Sequence, residues 1–551
     1  MKFKAIMASA VAMLSLAACS SDEPANKGGG TESGTSYLNV SINLPSVDAA
    51  GSRAGEEPGV VFDDGEASEY RVNKAHLVIF EGETEVTAKV KNIYEMTTLK
   101  PWNLEGTTTD NVTTTAQTVQ QINDAPADNL WVLIVLNDND ALTHFAQGKT
   151  FADLTGVASE MDFYKNGIFM TNAPLYTSDG AKTLVKIAKE DIKSTQEAAL
   201  AAPAVNIYVE RAVAKVQLLD KNSGESNLIK GIPSITGDDA QAKNYVAEIQ
   251  KWAIDITNNK SFIVRNVSKF GDWKDLASKI NGAQTGTRFY SSSSNRIYWA
   301  IDPNYDEYKR DDFYSLYDDD AKESKFTNDP DGYVYCRENT FDVANQNRNQ
   351  TTRLIIKATF KPANAENAST FYTLGASNTI YDAPAMRKFV TAKAIELLDD
   401  KKDAAKYTVD GSETVSKTRG DHDLSTTDVK YDGVALSQEE IDILNNAIGK
   451  IHTYLNGECF YVARVKHFGD TYTPWISGSP AYGETDRDDN YLGRYGIVRN
   501  NWYALEVSGI ATLGNPDVPE TPTTPDDENK YFISVKCNVH SWAKRVQDVK
   551  L

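Results

Sequence analysis

The chain has 551 residues, long enough for two or more domains with separate cores. Its formal net charge is −20, with no basic stripe to displace phosphate counterions, which excludes a nucleic-acid binder. Abundant Tyr, Phe, Trp, Val and Thr in short apolar runs predict a mainly β fold rather than a helical bundle.

The first element is an export signal. Lys2 and Lys4 precede an apolar run from Ala5 to Ala18 that is too short to cross a bilayer as a mature helix. Leu16, Ala17 and Ala18 before Cys19 resemble the lipobox of bacterial lipoproteins, in which Cys19 would be acylated and become the first mature residue. The other reading is an ordinary signal peptide cut near Ala17 or Ala18. Residues 20–36 form a Gly/Ser-rich tether.

The stretch YLNVSINLP follows. Leu38, Val40, Ile42 and Leu44 point one way and Asn39, Ser41 and Asn43 the other, the pattern of a half-buried strand. The next segment, small residues with two Gly and a lone Arg53, reads as an exposed, protease-accessible loop.

Strand signals then continue with HLVIF (76–80); a polar, Thr-rich stretch follows before residue 122, and then LWVLIVL (130–136), whose unbroken apolar run predicts a buried central strand with a turn at the Asn and Asp residues after it. GIFMTNAPLY, TLVKIA and NIYVERAVAKVQLLD (206–220) read as further strands, although the last also has helical propensity. In the second half, TRLIIKATFKP and CFYVARVKHF read as strands. The best helix runs from Ser437 to Leu455, with Ser437 as N-cap, Glu440 three residues on, and Ile441, Leu444, Ile448 and Ile451 on one face. No segment after the signal has the length or apolarity of a transmembrane helix.

The end of the chain mirrors its beginning. Pro516, Pro519, Pro522 and Pro525, at every third position, predict an extended polyproline arm acting as a flexible tether. Beyond it Tyr531, Ile533, Val535, Cys537 and Val539 alternate with polar or aromatic neighbours, a second clean strand. Removing the first strand would leave a groove of unpaired backbone groups, which another copy's strand could fill head-to-tail, giving a filament.

Catalytic signatures are missing: no G-x-S-x-G, H-E-x-x-H, phosphate loop or G-x-G-x-x-G occurs, and the six His residues are dispersed. The reading is therefore not an enzyme, with no catalytic residue, metal or cofactor. The clusters at Asp138–Asp140, Asp318–Asp320, Asp329–Asp331 and Asp486–Asp489 lack EF-hand spacing and read as solvated acidic loops. The Arg419-Gly420-Asp421 tripeptide reads as a chance occurrence rather than an adhesive motif. Once Cys19 is acylated, Cys336, Cys459 and Cys537 remain, an odd number that reads as buried small apolar residues, with one pair able to bridge.

VERAVAKVQL (209–218), YGIVRNNWYALEVSGIATLGNP (495–516) and ISVKCNVHSW, together with the lipobox, tether and strand-then-Arg order, resemble the Bacteroidales fimbrillins of type V pili, in particular their short-fimbria stalk subunits. The resemblance runs end to end at the level of motifs, but the middle of the chain, roughly 220–430, carries little that matches. It implies two transthyretin-like β-sandwich domains with a few short helices, at residues 54–215 and 216–551. It also implies a precursor with residues 19–53 as propeptide, cut by an arginine-specific protease between Arg53 and Ala54, and a C-terminal donor strand. The partners it implies are other copies of the chain, accessory tip and anchor fimbrial subunits and that protease, with receptors on host or bacterial surfaces left open. The place it implies is a fimbria on the outer-membrane surface. Two rivals stand beside the stalk subunit: a surface lipoprotein that stays anchored and binds glycans, and a lipid-retaining pilus anchor subunit.

Overall fold

The computed structural model describes residues 35–44, 66–102, 104, 114–219, 227–280, 283–290, 295–327, 332–410, 418–468, 472–473, 489–526 and 533–541. It is mainly β, as the composition predicts. Its first sheet has the strand order Ile192–Lys193, Ser36–Asn43, Val205–Arg211, Met170–Asn172, Leu130–Leu136, Ala75–Glu81, Lys89–Glu95, with Thr115–Ile122 and Val185–Ile187 paired off this path. All seven residues of Leu130–Leu136 are buried, as an unbroken apolar run requires. The strand stops where Asn137, Asn139 and Asp140 take left-handed backbone conformations, which Asn and Asp tolerate best. The Asn137 side chain then ties the turn down, accepting from Asn73 N (2.7 Å) and donating to Ile168 O (2.9 Å). This part of the first acidic cluster is thus a turn.

The segment from 206 to 220 is extended, but as two strands rather than one. Val205–Arg211 belongs to the first sheet; the chain bends at buried Ala212, and Val213–Leu219 enters a second sheet. There it pairs antiparallel with Tyr333–Arg337 and parallel with Asn501–Ile510. This four-stranded sheet packs on an eight-stranded one through a shared core in which Val216, Leu218 and Leu505 meet Trp252, Ile356 and Tyr461. The result is a β-sandwich.

Two helices lie at one end of the larger sheet. Gln438–Ile448 has the expected capping box: Glu440 N donates to Ser437 Oγ (3.3 Å), and Ser437 N donates to Glu440 Oε2 (2.8 Å). It is shorter than expected, because Gly449 at φ 75° breaks it and Ile451 begins the strand Ile451–Tyr454. The longest helix, Ala383–Leu397, carries little sequence signal, since its buried residues are only Ala385, Met386, Val390 and Ala394. Asp382 caps it by accepting from Ala385 N (2.8 Å).

The Pro-rich arm is extended but not free. Val518 is buried in an apolar group with Phe326 and Phe460. Asp517 pairs with Arg419 (2.9 Å) and Lys322 (3.0 Å), while the carbonyls of Pro519 and Thr524 accept from Arg353 (2.8 Å) and Arg348 N (3.0 Å). Asp526 is buried and accepts from Thr351 Oγ1 (2.5 Å). The expectation of a flexible tether is corrected for residues 516–526. An extended chain leaves its carbonyls open, and the domain's arginines take them.

Candidate functional site

The first strand is held along both edges. Ser36–Asn43 runs antiparallel to Thr115–Ile122 over its whole length, with Ser36 opposite Ile122 and Asn43 opposite Thr115. On the other edge Tyr37 and Leu38 face Lys193 and Ile192, and Val40 to Asn43 run parallel to Val205–Tyr208. Thr115–Ile122, half of the Thr-rich stretch, has no other strand partner among the described residues beyond one bridge from Lys100 to Gln117. The first strand therefore joins that segment to the sheet.

Leu38, Val40 and Ile42 are 0% exposed and Leu44 1%. The expectation of a solvent-facing polar side is corrected. Helix Gln196–Ala201 packs against the strand, Asn39 and Ser41 are buried, and Asn39 Nδ2 donates to Ala202 O (2.9 Å). Burying the four aliphatic side chains is worth roughly 6–12 kcal/mol relative to leaving them exposed, as much as the net stability of a domain. Whatever fills this slot decides whether the first domain is stable.

The strand ends with Leu44 N donating to Thr114 O (2.8 Å). Cys19, Arg53 and Ala54 lie outside the described residues, which resume at Glu66. The first element there, the short turn of helix Ala67–Tyr70, is fastened to the second sheet. The buried Glu69 carboxylate sits 2.9 Å from Lys215 Nζ and accepts from Tyr335 OH (2.7 Å). Burial pushes the Glu69 carboxyl up, but Arg211 and Lys215 outweigh it and hold it below the usual range. Tyr70 supports this seat, its ring 4.7 Å from the Arg211 guanidinium. Sequence reading missed this anchor, because Glu69 looks like one more acid in an acidic loop.

The terminal strand occupies the opposite situation. Among the described residues Ile533–Ser541 pairs only with Asn501–Ile510, at the outer edge of the four-stranded sheet. Ile533, Val535, Cys537 and Val539 stand in register opposite the buried Ile510, Val507, Leu505 and Tyr503. Tyr531 lies outside the described residues. The slot and the edge strand thus share a format: four apolar positions at alternate residues, Leu38-Val40-Ile42-Leu44 and Ile533-Val535-Cys537-Val539.

The other sequence motifs are absorbed into the fold. Arg419 is engaged by Glu323, by Glu458 (3.1 Å) and by Asp517 (2.9 Å), and it stacks 4.7 Å from the Phe460 ring. Asp421 accepts from His452 Nδ1 at 2.6 Å, so neither end of the tripeptide presents a free charge. Donating to Asp421 raises the His452 pKa, and accepting from His452 lowers the Asp421 pKa. His467 is buried, its Nδ1 2.8 Å from Tyr503 OH. Cys336 and Cys459 are buried free thiols, each pushed by desolvation up to about 12. Among the described residues no three His, Cys, Asp or Glu side chains gather as a metal site, and no helix is long and apolar enough to cross a membrane.

Residues 452–548 match the family "Major fimbrial subunit protein type IV, Fimbrillin, C-terminal". The matched residues include both Asn501–Ile510 and the terminal strand. Among proteins of curated function, none matches the chain in sequence. Similar solved structures include a candidate cell adhesion protein from Parabacteroides distasonis (11% identity, 93% of this chain and 98% of that one, TM-score 0.37). Another candidate cell adhesion protein, from Bacteroides eggerthii, is 12% identical over 93% of this chain and 98% of its own, with a TM-score of 0.32. The tip fimbrial protein Mfa3 from Porphyromonas gingivalis, with C-terminal truncation, is 10% identical over 92% of this chain and 100% of its own, with a TM-score of 0.33. At these scores the likenesses carry no functional argument.

Proposed function

We propose that this chain is a non-enzymatic structural subunit of a cell-surface fimbria, lipidated at Cys19, cut between Arg53 and Ala54, and polymerised by strand exchange. One observation carries the reading: the strand that completes the first sheet, paired on both edges, continues only into the Arg53 segment. Cleavage there turns a covalent part of the domain into a removable one. Its departure strips Thr115–Ile122 of its ladder and leaves the edge at Val205–Tyr208 open. Glu69 and Tyr70 keep the new N-terminal segment seated on the second sheet. The terminal strand of another copy, an edge strand with the same apolar spacing, then restores both ladders by β-augmentation. Because slot and donor lie on different parts of the molecule, the contact is head-to-tail and grows a filament on the outer-membrane surface, with tip and anchor subunits at its ends.

Truncation after Asp526 tests this reading. It keeps the docked arm and removes the donor, so the subunit should be processed normally and remain monomeric. Filaments of ordinary length from that variant would overturn the assignment of the donor.

A further inference from the structure

The polar side of the first strand carries information that its apolar side does not. Set beside the terminal segment, Tyr37–Leu44 (YLNVSINL) and Phe532–Val539 (FISVKCNV) differ in class only at Ser41 and Lys536, and Val40 with Val535 and Asn43 with Asn538 are identical. Two of the polar places are read by the domain. Asn43 Oδ1 accepts from Thr115 Oγ1 (3.0 Å) on one edge, and its Nδ2 donates to Ile207 O (3.4 Å) on the other, so one side chain touches both ladders. Asn39 Nδ2 donates to Ala202 O (2.9 Å). Ser41 is 2% exposed, yet the residues facing it in register, Gln117 and Asn206, are both exposed. A lysine in that place can lay its stem between them and keep its ammonium in water.

Apolar spacing alone allows two directions, because Leu38-Val40-Ile42-Leu44 fits Ile533-Val535-Cys537-Val539 forwards or backwards. Backbone pairing separates them. The present strand is antiparallel to Thr115–Ile122 over its whole length and to Ile192 and Lys193, and parallel only to Val205–Tyr208. A reversed strand would turn the long ladder parallel, and parallel pairing is the less stable per residue. A slip of two residues keeps the alternation but spoils the fit: it puts Ser541 in the place of Leu44, or Phe532 in the place of Asn39.

We infer that the terminal strand of another copy enters in the direction of the strand it replaces, with Ile533 in the place of Leu38 and Val539 in the place of Leu44, and that Asn538 takes over the contacts of Asn43 and fixes this register. Ser534 then falls beside Ala202 O, and Lys536 between Gln117 and Asn206. This register presupposes the strand exchange proposed above.

Disulfide mapping in assembled filaments tests it. Val119 stands opposite Asn39. Residues directly opposite in an antiparallel ladder have Cα atoms about 4.5–5.5 Å apart, within disulfide reach. Val119→Cys should therefore link to Ser534→Cys of the neighbouring copy on oxidation with diamide, giving a covalent ladder on a non-reducing gel. Val119→Cys alone should give none, which controls for the native thiols. Pairing Val119→Cys with Asn538→Cys reports a reversed strand, and with Lys536→Cys or Phe532→Cys a slip of two residues. Asn538→Ala should lower the Ser534 link about threefold, as the net loss of a hydrogen bond does, and raise the Lys536 link. A stronger link through Asn538, Lys536 or Phe532 than through Ser534 overturns the register while leaving strand exchange intact. Asn538→Ala filaments that link as their parent does overturn the role of Asn538. Filaments in which Val119→Cys links to none of the four overturn the donor assignment itself, and the register with it.

Discussion

Glu69 and Lys215 meet at 2.9 Å with both side chains almost fully buried, one on the first described element after Arg53 and the other on an inner strand of the four-stranded sheet. The pair therefore ties the segment that cleavage would free to the domain that carries the terminal strand. Lys215 is further enclosed by the rings of Tyr333 and Trp502, 3.9 and 4.2 Å away. Lys215→Met leaves the buried Glu69 without the cation that pairs with it directly and should destabilise the protein by about 3–5 kcal/mol in urea unfolding. The double variant Glu69→Gln/Lys215→Met should recover most of that loss. Equal losses in the single and double variants would show that the pair does not act as a unit.

Val40 is fully buried between Thr118 and Val205. Val40→Asp should destabilise the uncut precursor by about 3–5 kcal/mol or prevent its folding, as a charge in an apolar slot does. Where any precursor folds and is cut, the assembled filament should melt like wild type, because the strand is no longer part of it. A filament weakened by Val40→Asp would mean that the first strand stays in place.

Arg419 fastens the polyproline arm through Asp517 and lies over Phe460. Arg419→Ala should cost about 1–3 kcal/mol. It should also speed amide hydrogen exchange in residues 516–526, measured by mass spectrometry, while leaving the first domain unchanged. An arm that exchanges at the wild-type rate would show that Val518 and Asp526 suffice to hold it.

The Asp421–His452 pair gives a pH signature. His452 is raised, so its contribution is complete below its ordinary value of 6.5 and is lost as pH climbs through the raised value. Asp421 is lowered, so its contribution is complete above its ordinary value of 3.8 and is lost as pH falls through the lowered one. The pair should stabilise most between these ordinary values, and His452 should titrate by NMR above 6.5. Titration at or below 6.5 would contradict the contact.

Strands with alternating or unbroken apolar runs were legible in the sequence because periodicity reports burial directly; Leu38-Val40-Ile42-Leu44 and Leu130–Leu136 are examples. Thr115–Ile122 was not, since only Ala116 and Ile122 are buried and its stability comes from the ladder it makes with the first strand. The docked arm and the Glu69 anchor were also hidden. Both depend on side chains more than a hundred residues away, Arg353 and Lys215, and local pattern cannot report such partners.

The most direct test of strand exchange is the N-terminus of subunits in filaments sheared from the cell surface, read by mass spectrometry. A start at Ala54 is the expected result: the first strand has been discarded and its slot belongs to another subunit. A start at acylated Cys19 in assembled filaments would contradict the account, because the slot would then still hold its own strand.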